Sequence, residues 1–158
     1  MNEVIDRAAY AWSVLEGLVD PEIPVLTLLD LGVIRSVDVM ANDAVRIALS
    51  PTYSGCPATR VIRGSIIDAL QDAGFKSVTV EEVLSPAWTS EWITERGRQR
   101  LLDYGIAPPP DANSSAGAAC PRCGSLNTRK LSDFGSTPCK AHYRCESCLE
   151  PFDQFKCI

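Results

Sequence analysis

Two C-x-x-C knuckles, Cys120-Pro121-Arg122-Cys123 and Cys145-Glu146-Ser147-Cys148, are separated by 21 residues near the C-terminal end of the chain. Each knuckle is a tight turn that aims two sulfurs at one ion, and the pair forms the ribbon-type zinc signature. The 39 residues from Cys120 onward hold too few large apolar side chains to fold on packing alone. A structural zinc site, worth about 10–16 kcal/mol in comparable peptides, supplies the missing free energy. Residues 120–158 are therefore expected to form a zinc-ribbon domain ligated by Cys120, Cys123, Cys145 and Cys148. Spacing alone does not separate zinc from an iron–sulfur cluster; ribbon geometry favours zinc.

Six of the seven cysteines lie in this tail, two more than a closed tetrahedral site needs. Cys139 and Cys157 are left over, beside the single histidine, His142. Two readings stand: small buried hydrophobes, or a second thiol pair able to hold or pass a metal or an iron–sulfur cluster. His142 is not required as a ligand, because four cysteines already complete a site. The N-terminus lacks the basic-then-apolar pattern of a secretory signal, so a cytoplasmic setting with reduced thiols is expected. No run approaches the roughly 18 apolar residues of a membrane span.

Charge divides the chain at the same place. Residues 1–119 carry nine Lys and Arg against sixteen Asp and Glu, a net −7; residues 120–158 carry six against four, a net +2. An acidic body argues against nucleic acid as the main partner, since phosphate neutralisation drives such binding.

Ahead of the tail, apolar residues recur at helical spacing over residues 3–18, with Asn2 placed to cap the start. Residues 33–39 and 45–49 alternate as strands around the turn Ala41-Asn42-Asp43, the chemistry of an antiparallel hairpin. Ile62, Ile66, Ala69, Leu70 and Ala73 form one stripe of a helix over 57–73, stopped by Gly74. A third strand follows near Val78–Val83, its pairing direction left open by the pattern. A last helix spans about Ser90–Tyr104, capped by Thr89 or Ser90, with Trp88 and Trp92 as packing anchors. The order α-β-β-α-β-α describes an α+β fold, a small sheet covered by helices, over residues 1–106. Residues 107–119, Pro-rich and then Ser/Ala-rich, read as a linker.

Two loops of this body carry chemistry. Asp20-Pro21-Glu22-Ile23-Pro24 combines two prolines with two carboxylates and is neither regular helix nor central strand. Its readings are a solvated turn or a rigid site loop. The second, Ser50-Pro51-Thr52-Tyr53-Ser54-Gly55-Cys56-Pro57, links a strand to a helix. Pro57 is suited to the first helical position, which leaves Cys56 at a helix N-terminus. Such an environment favours the thiolate, the form that attacks electrophiles or binds metal. The competing reading makes Cys56 a small apolar filler under the loop.

These motifs carry a resemblance. Asp20-Pro21-Glu22-Ile23-Pro24-Val25, Asp30-Leu31-Gly32-Val33-Ile34 and Pro51-Thr52-Tyr53-Ser54-Gly55-Cys56-Pro57 resemble the metal–sulfur cluster biosynthesis family, which includes the SufT-like proteins. Pro86-Ala87-Trp88-Thr89, Tyr104-Gly105-Ile106-Ala107-Pro108-Pro109, Phe134-Gly135-Ser136-Thr137-Pro138-Cys139-Lys140 and Phe152-Asp153-Gln154-Phe155-Lys156-Cys157 extend the match to its PaaD-like, phenylacetate-degradation members with a C-terminal ribbon. The related tails carry an apolar residue where His142 stands.

The resemblance implies an accessory role in aerobic phenylacetate catabolism: helping assemble or mature the iron–sulfur cluster of the multicomponent phenylacetyl-CoA epoxidase. The implied partners are the epoxidase components, especially the iron–sulfur reductase. Cys56 would be the functional thiol that transiently holds iron or a cluster, with Thr52, Asp20 and Glu22 shaping its site. The residues are consistent with this. A di-iron oxygenase subunit needs Glu-x-x-His pairs on bundle helices, and a single histidine with no such motif excludes it. The absence of G-x-G-x-x-G weakens a nucleotide-binding reductase reading. An interaction module with a structural ribbon is the alternative. A thiol enzyme would need His142 brought onto Cys56, which nothing in the pattern supports, so no catalytic residue is assigned.

Overall fold

The computed structural model describes residues 6–111 and 117–157. The chain packs as two compact units, Met1–Trp88 and Thr89–Ile158. The first helix, α1 (Arg7–Leu15), starts after Asp6, whose carboxylate accepts from the Ala8 N–H at 3.0 Å. Asn2, expected as the cap, lies outside the described residues. Arg7 ties the helix down: its guanidinium lies 4.2 Å from the Phe75 ring centroid and bonds Asp43 at 3.0 Å. The helix ends three residues earlier than its periodicity suggested, because the chain turns back to form a bridge between Val19 and Thr27.

A short helix that the periodicity did not reveal, α2 (Leu28–Leu31), follows. It is a single turn held by a capping box: the Asp30 N–H donates to Thr27 Oγ1 at 3.0 Å, and the Thr27 N–H donates to Asp30 Oδ2 at 3.3 Å. Four residues are too few for a hydrophobic period to register. Strands β1 (Ile34–Val39) and β2 (Ala44–Leu49) form the expected antiparallel hairpin. Helix α3 (Ala58–Asp72) buries Ile62, Ile66 and Leu70 along its stripe. It leads to β3 (Ser77–Glu82), which pairs parallel to β2. The three-stranded order is β1-β2-β3. Trp88 closes this unit as the expected anchor, 3% exposed, its indole N–H donating to the Leu31 carbonyl at 2.9 Å.

The expected single helix over Ser90–Tyr104 is instead two elements. A 3-10 turn at Ser90–Trp92 ends in extended Ile93, and α4 (Glu95–Tyr104) starts anew after Thr94. The reason is local: Thr94 has extended dihedrals and its hydroxyl accepts from the Gly97 N–H at 3.0 Å, so it caps a helix and cannot continue one. Helix α4 belongs to the second unit. There β4 (Ile106–Ala107) pairs parallel to β7 (Pro151–Phe155), and β6 (Lys140–Cys145) lies antiparallel between β7 and β5 (Thr128–Ser132). One buried cluster of this unit joins Ala107, Ala118, Cys120, Cys145 and Phe152, with Tyr143 stacked on Phe152 at 5.7 Å; Leu101, Ile106 and Phe155 are buried in the same unit.

Candidate functional site: a thiol cavity and a four-sulfur centre

In the first unit, β2 ends at Leu49 and the chain bends through Pro51–Gly55 before α3. Gly55 takes φ +78°, a left-handed turn that most side chains resist. Helix α3 begins at Ala58, with Pro57 in the capping position already at helical dihedrals (φ −65°, ψ −24°). The helix therefore starts one residue later than expected, and Cys56 sits just outside it. The Cys56 carbonyl accepts from the Thr59 N–H at 3.1 Å, closing the first turn. The Cys56 thiol is half-buried.

Asp20 reaches the same place from the Asp-Pro-Glu loop. It is 6% exposed, and its Oδ1 accepts from the backbone N–H groups of Glu22 and Ile23, each at 2.8 Å. The carboxylate thus folds its own loop as well as presenting an acidic group. Asp20, Thr52 and Cys56 line one small cavity of about 10 Å3, the size of a single water molecule, together with Ser50, Thr59 and the floor of Leu31, Val33, Leu49 and Ile62. Glu22 does not line it. Ser50 and Thr59 were not singled out from the sequence. Strand alternation puts Ser50 on the outward face with Arg46 and Ala48, yet it is 0% exposed. That burial arises from the bend after Leu49, which no periodicity encodes.

In the second unit the four knuckle sulfurs all lie within 4.8 Å of one another. Cys120 Sγ is 3.7 Å from Cys148 Sγ, and Cys123 Sγ is 3.5 Å from Cys145 Sγ. Sulfurs bound tetrahedrally at about 2.3 Å from one ion stand roughly 3.8 Å apart, close to the two pair distances, so the donor set fits a zinc-sized site. The two knuckles share a backbone turn: Gly124 and Leu149, each the residue after a second cysteine, take φ +75° and +68°. The Cys148 N–H pulls the Cys145 thiol down to about 6 against the effect of burial, with the Ser147 N–H adding to the lowering. Cys148 receives a lowering N–H from Glu150, yet desolvation and the sulfurs of Cys145, Cys120 and Cys123 push its thiol up to about 12. Four thiolates at this spacing repel one another, and a divalent cation relieves that repulsion.

Cys139, Cys157 and His142 are not members of this four-sulfur group. Cys139 is buried, its sulfur 3.0 Å from Thr137 Oγ1, while Cys157 is exposed. The strand pairing runs on so that the Lys156 N–H donates to the Cys139 carbonyl, placing Cys139 opposite Lys156. His142 bonds Asp153 across β6 and β7, Nδ1 to Oδ1 at 3.1 Å.

Comparison with known proteins sharpens this description. Residues 107–156 match the family model described as the PaaD zinc beta ribbon domain, and residues 9–83 match that of the iron–sulfur cluster assembly protein. An Escherichia coli protein, provisionally named as one of the subunits of 1,2-phenylacetyl-CoA epoxidase, is 51% identical over 151 residues, covering 93% of this chain and 91% of that one. The chain belongs to the iron–sulfur cluster assembly protein family, with a PaaD zinc beta ribbon. Within that family, an Fe-S protein maturation auxiliary factor of Porphyromonas gingivalis is 30% identical, covering 66% of this chain and 97% of the relative. A crystal structure of a domain of unknown function from Bacillus anthracis shares the fold, with a TM-score of 0.56 at 23% identity over 60% of this chain and 90% of that domain. The α+β fold and ribbon tail expected from the sequence are thus those of the family. Among the described residues no helix is long and apolar enough to cross a membrane.

Proposed function

We propose that this protein assists iron–sulfur cluster assembly or maturation for a multicomponent phenylacetyl-CoA epoxidase, acting as an accessory factor in the cytoplasm without catalysing epoxidation itself. The observation that carries the reading is the convergence of Cys56, Thr52 and Asp20 on one cavity within the unit that matches the assembly family. Relatives named as maturation auxiliary factors support it, and the relative named as part of the epoxidase supports the choice of client.

Cys56 is the thiol that takes iron or a cluster as cargo, through one sulfur only. A single thiolate releases its metal by ligand exchange as the client's cysteines replace it, with no redox step. Asp20 holds the Asp-Pro-Glu loop in place and offers a carboxylate, Thr52 offers a hydroxyl to a bound sulfur, and Glu22 orders the loop. The ribbon carries a resident Zn2+ on Cys120, Cys123, Cys145 and Cys148, whose job is to hold the fold. The client is the iron–sulfur reductase component. The test is the iron and acid-labile sulfide content of that component when produced with the Cys56→Ser variant. Low occupancy with the variant folded is expected; full occupancy overturns the role of Cys56.

A second reading, a non-catalytic interaction component of the epoxidase with a structural ribbon, is favoured by the large apolar side chains that the ribbon exposes, Leu131 and Phe134 among them. Leu126 and Leu149 are 61% and 58% exposed. Under that reading Cys56→Ser is silent, whereas removing residues 120–158 abolishes co-purification with the epoxidase components.

A further inference from the structure

The cavity lined by Cys56 contains one polar atom that the fold leaves without use. Ser50 is 0% exposed, and its hydroxyl makes no hydrogen bond among the described residues. Buried hydroxyls are normally satisfied, because losing water without gaining a partner is costly. Here the orphan hydroxyl belongs to the lining of a cavity whose outer members, Thr52 and Cys56, are half-buried and whose inner members, Asp20, Ser50 and Thr59, are buried. Asp20 lines the same cavity. Its Oδ1 is committed to two backbone N–H groups.

Size and donor chemistry narrow the occupant. About 10 Å3 accommodates one water-sized body, so a preassembled cluster of two or more irons with bridging sulfides does not enter. A free sulfide is larger than a water and anionic, a poor match for a site that includes a carboxylate. A first-row divalent cation is small, and it takes mixed sulfur and oxygen donors.

We propose that this cavity receives a single ferrous ion as cargo, on the Cys56 sulfur and the second carboxylate oxygen of Asp20, with the buried Ser50 hydroxyl as a neutral third donor. The proposal rests on the cargo-handling reading of Cys56 and specifies its substrate: mononuclear iron delivered for cluster building, not a finished cluster. Binding displaces one proton from the Cys56 thiol and needs no electron transfer. Ser50 is thereby a binding residue rather than a packing one.

The test uses full-length protein with zinc already in the ribbon, titrated anaerobically with Co2+ as the probe. Thiolate-to-cobalt charge-transfer absorption in the near ultraviolet reports a sulfur ligand, and retained zinc is measured alongside. The expected result is a band saturating at one Co2+ per chain, displaced by Fe2+, absent in Cys56→Ser, and weakened about tenfold or more in Kd in Ser50→Ala. The metal-free thermal midpoint of Ser50→Ala should not fall below that of the unsubstituted protein, since the hydroxyl has no partner to lose. An unchanged Kd in Ser50→Ala, or a lowered midpoint without metal, makes the hydroxyl structural and overturns its role. No band in the unsubstituted protein, or metal uptake only together with sulfide, overturns the single-ion site. The two readings separate cleanly: if cobalt fails to bind while Cys56→Ser still starves the client, only the single-ion inference falls. If cobalt binds but the client stays fully loaded, the maturation role falls instead.

Discussion

Asp153 gathers several partners within the ribbon, and it explains why His142 and Gly135 stand where they do. Its Oδ2 accepts from the Ser136 hydroxyl at 2.8 Å and lies 4.0 Å from the ammonium of Lys140, a lysine only 5% exposed; its Oδ1 meets His142. Desolvation raises the Asp153 pKa, but the Ser136 hydroxyl, His142, the Ser136 N–H and the Lys140 charge outweigh it and hold the group below the ordinary carboxylate range. A carboxylate with a depressed folded pKa contributes stability that is fully present above its unfolded value, near 4, and is lost as pH falls through the folded value. Asp153→Asn should therefore cost about 1–3 kcal/mol at neutral pH, and its deficit should shrink as pH falls below about 4. Denaturant melts of both proteins across that range check it. Gly135 belongs to the same arrangement: a Cβ there would lie 2.6 Å from Asp153 Oδ1. Gly135→Ala must push the carboxylate off its partners, so its melt should lose part of what Asp153→Asn loses, and the two together should fall short of additivity. None of this was legible in the sequence, where His142 entered only as a ligand that four cysteines make unnecessary. Positions 142 and 153 meet because β6 and β7 pair in that register, and register is a property of the folded pair.

At the scale of elements, what could be read was what repeats. The β1–β2 hairpin and α3 lay near their expected bounds because alternation and a helical stripe persist over many residues. What could not be read was set by single hydrogen bonds or by pairing between distant segments: the one-turn α2, the parallel direction of β3 against β2, and the break between the 3-10 turn and α4. The break depends on Thr94. With its hydroxyl on the Gly97 N–H, it satisfies one of the donors a helix start leaves open. Thr94→Ala should lower stability by about 1 kcal/mol, while Thr94→Ser, which keeps the oxygen, should restore most of it. Thermal melts of the metal-loaded variants distinguish the two. The candidate site follows the same division. Cys56, Asp20 and Thr52 were recognisable because unusual residue types sit in proline-stiffened loops. Ser50 was not, because it became part of the cavity only when the chain bent after β2.

For the molecule as a whole, the two units draw on different sources of stability. The first contains Leu15, Ile47, Ile66 and Leu70, all 0% exposed, with Leu31, Val33 and Trp88 nearly so. Burying such side chains contributes about 1.5–3 kcal/mol each, enough to hold a three-stranded sheet and its helices. In the ribbon, the buried cluster beside the knuckles has Ala107, Ala118 and Phe152, and its other two members, Cys120 and Cys145, belong to the four-sulfur centre itself; Phe155 and Ala141 are buried in the same sheet. Taking the metal away thus removes a cross-link and turns part of the core into a cluster of mutually repelling thiols. Chelation should strip amide protection from β5, β6 and β7 while leaving β1, β2, β3 and α3 protected, as followed by hydrogen exchange with and without a zinc chelator. Replacing Cys145 by Ser should reproduce the chelated pattern without any chelator. Because Cys145 is buried and its sulfur takes the Cys148 N–H, the loss should exceed that from substituting the exposed Cys123. Equal protection of β5–β7 in the metal-free protein would mean that the ribbon stands on packing after all, and that its four sulfurs serve something other than the fold.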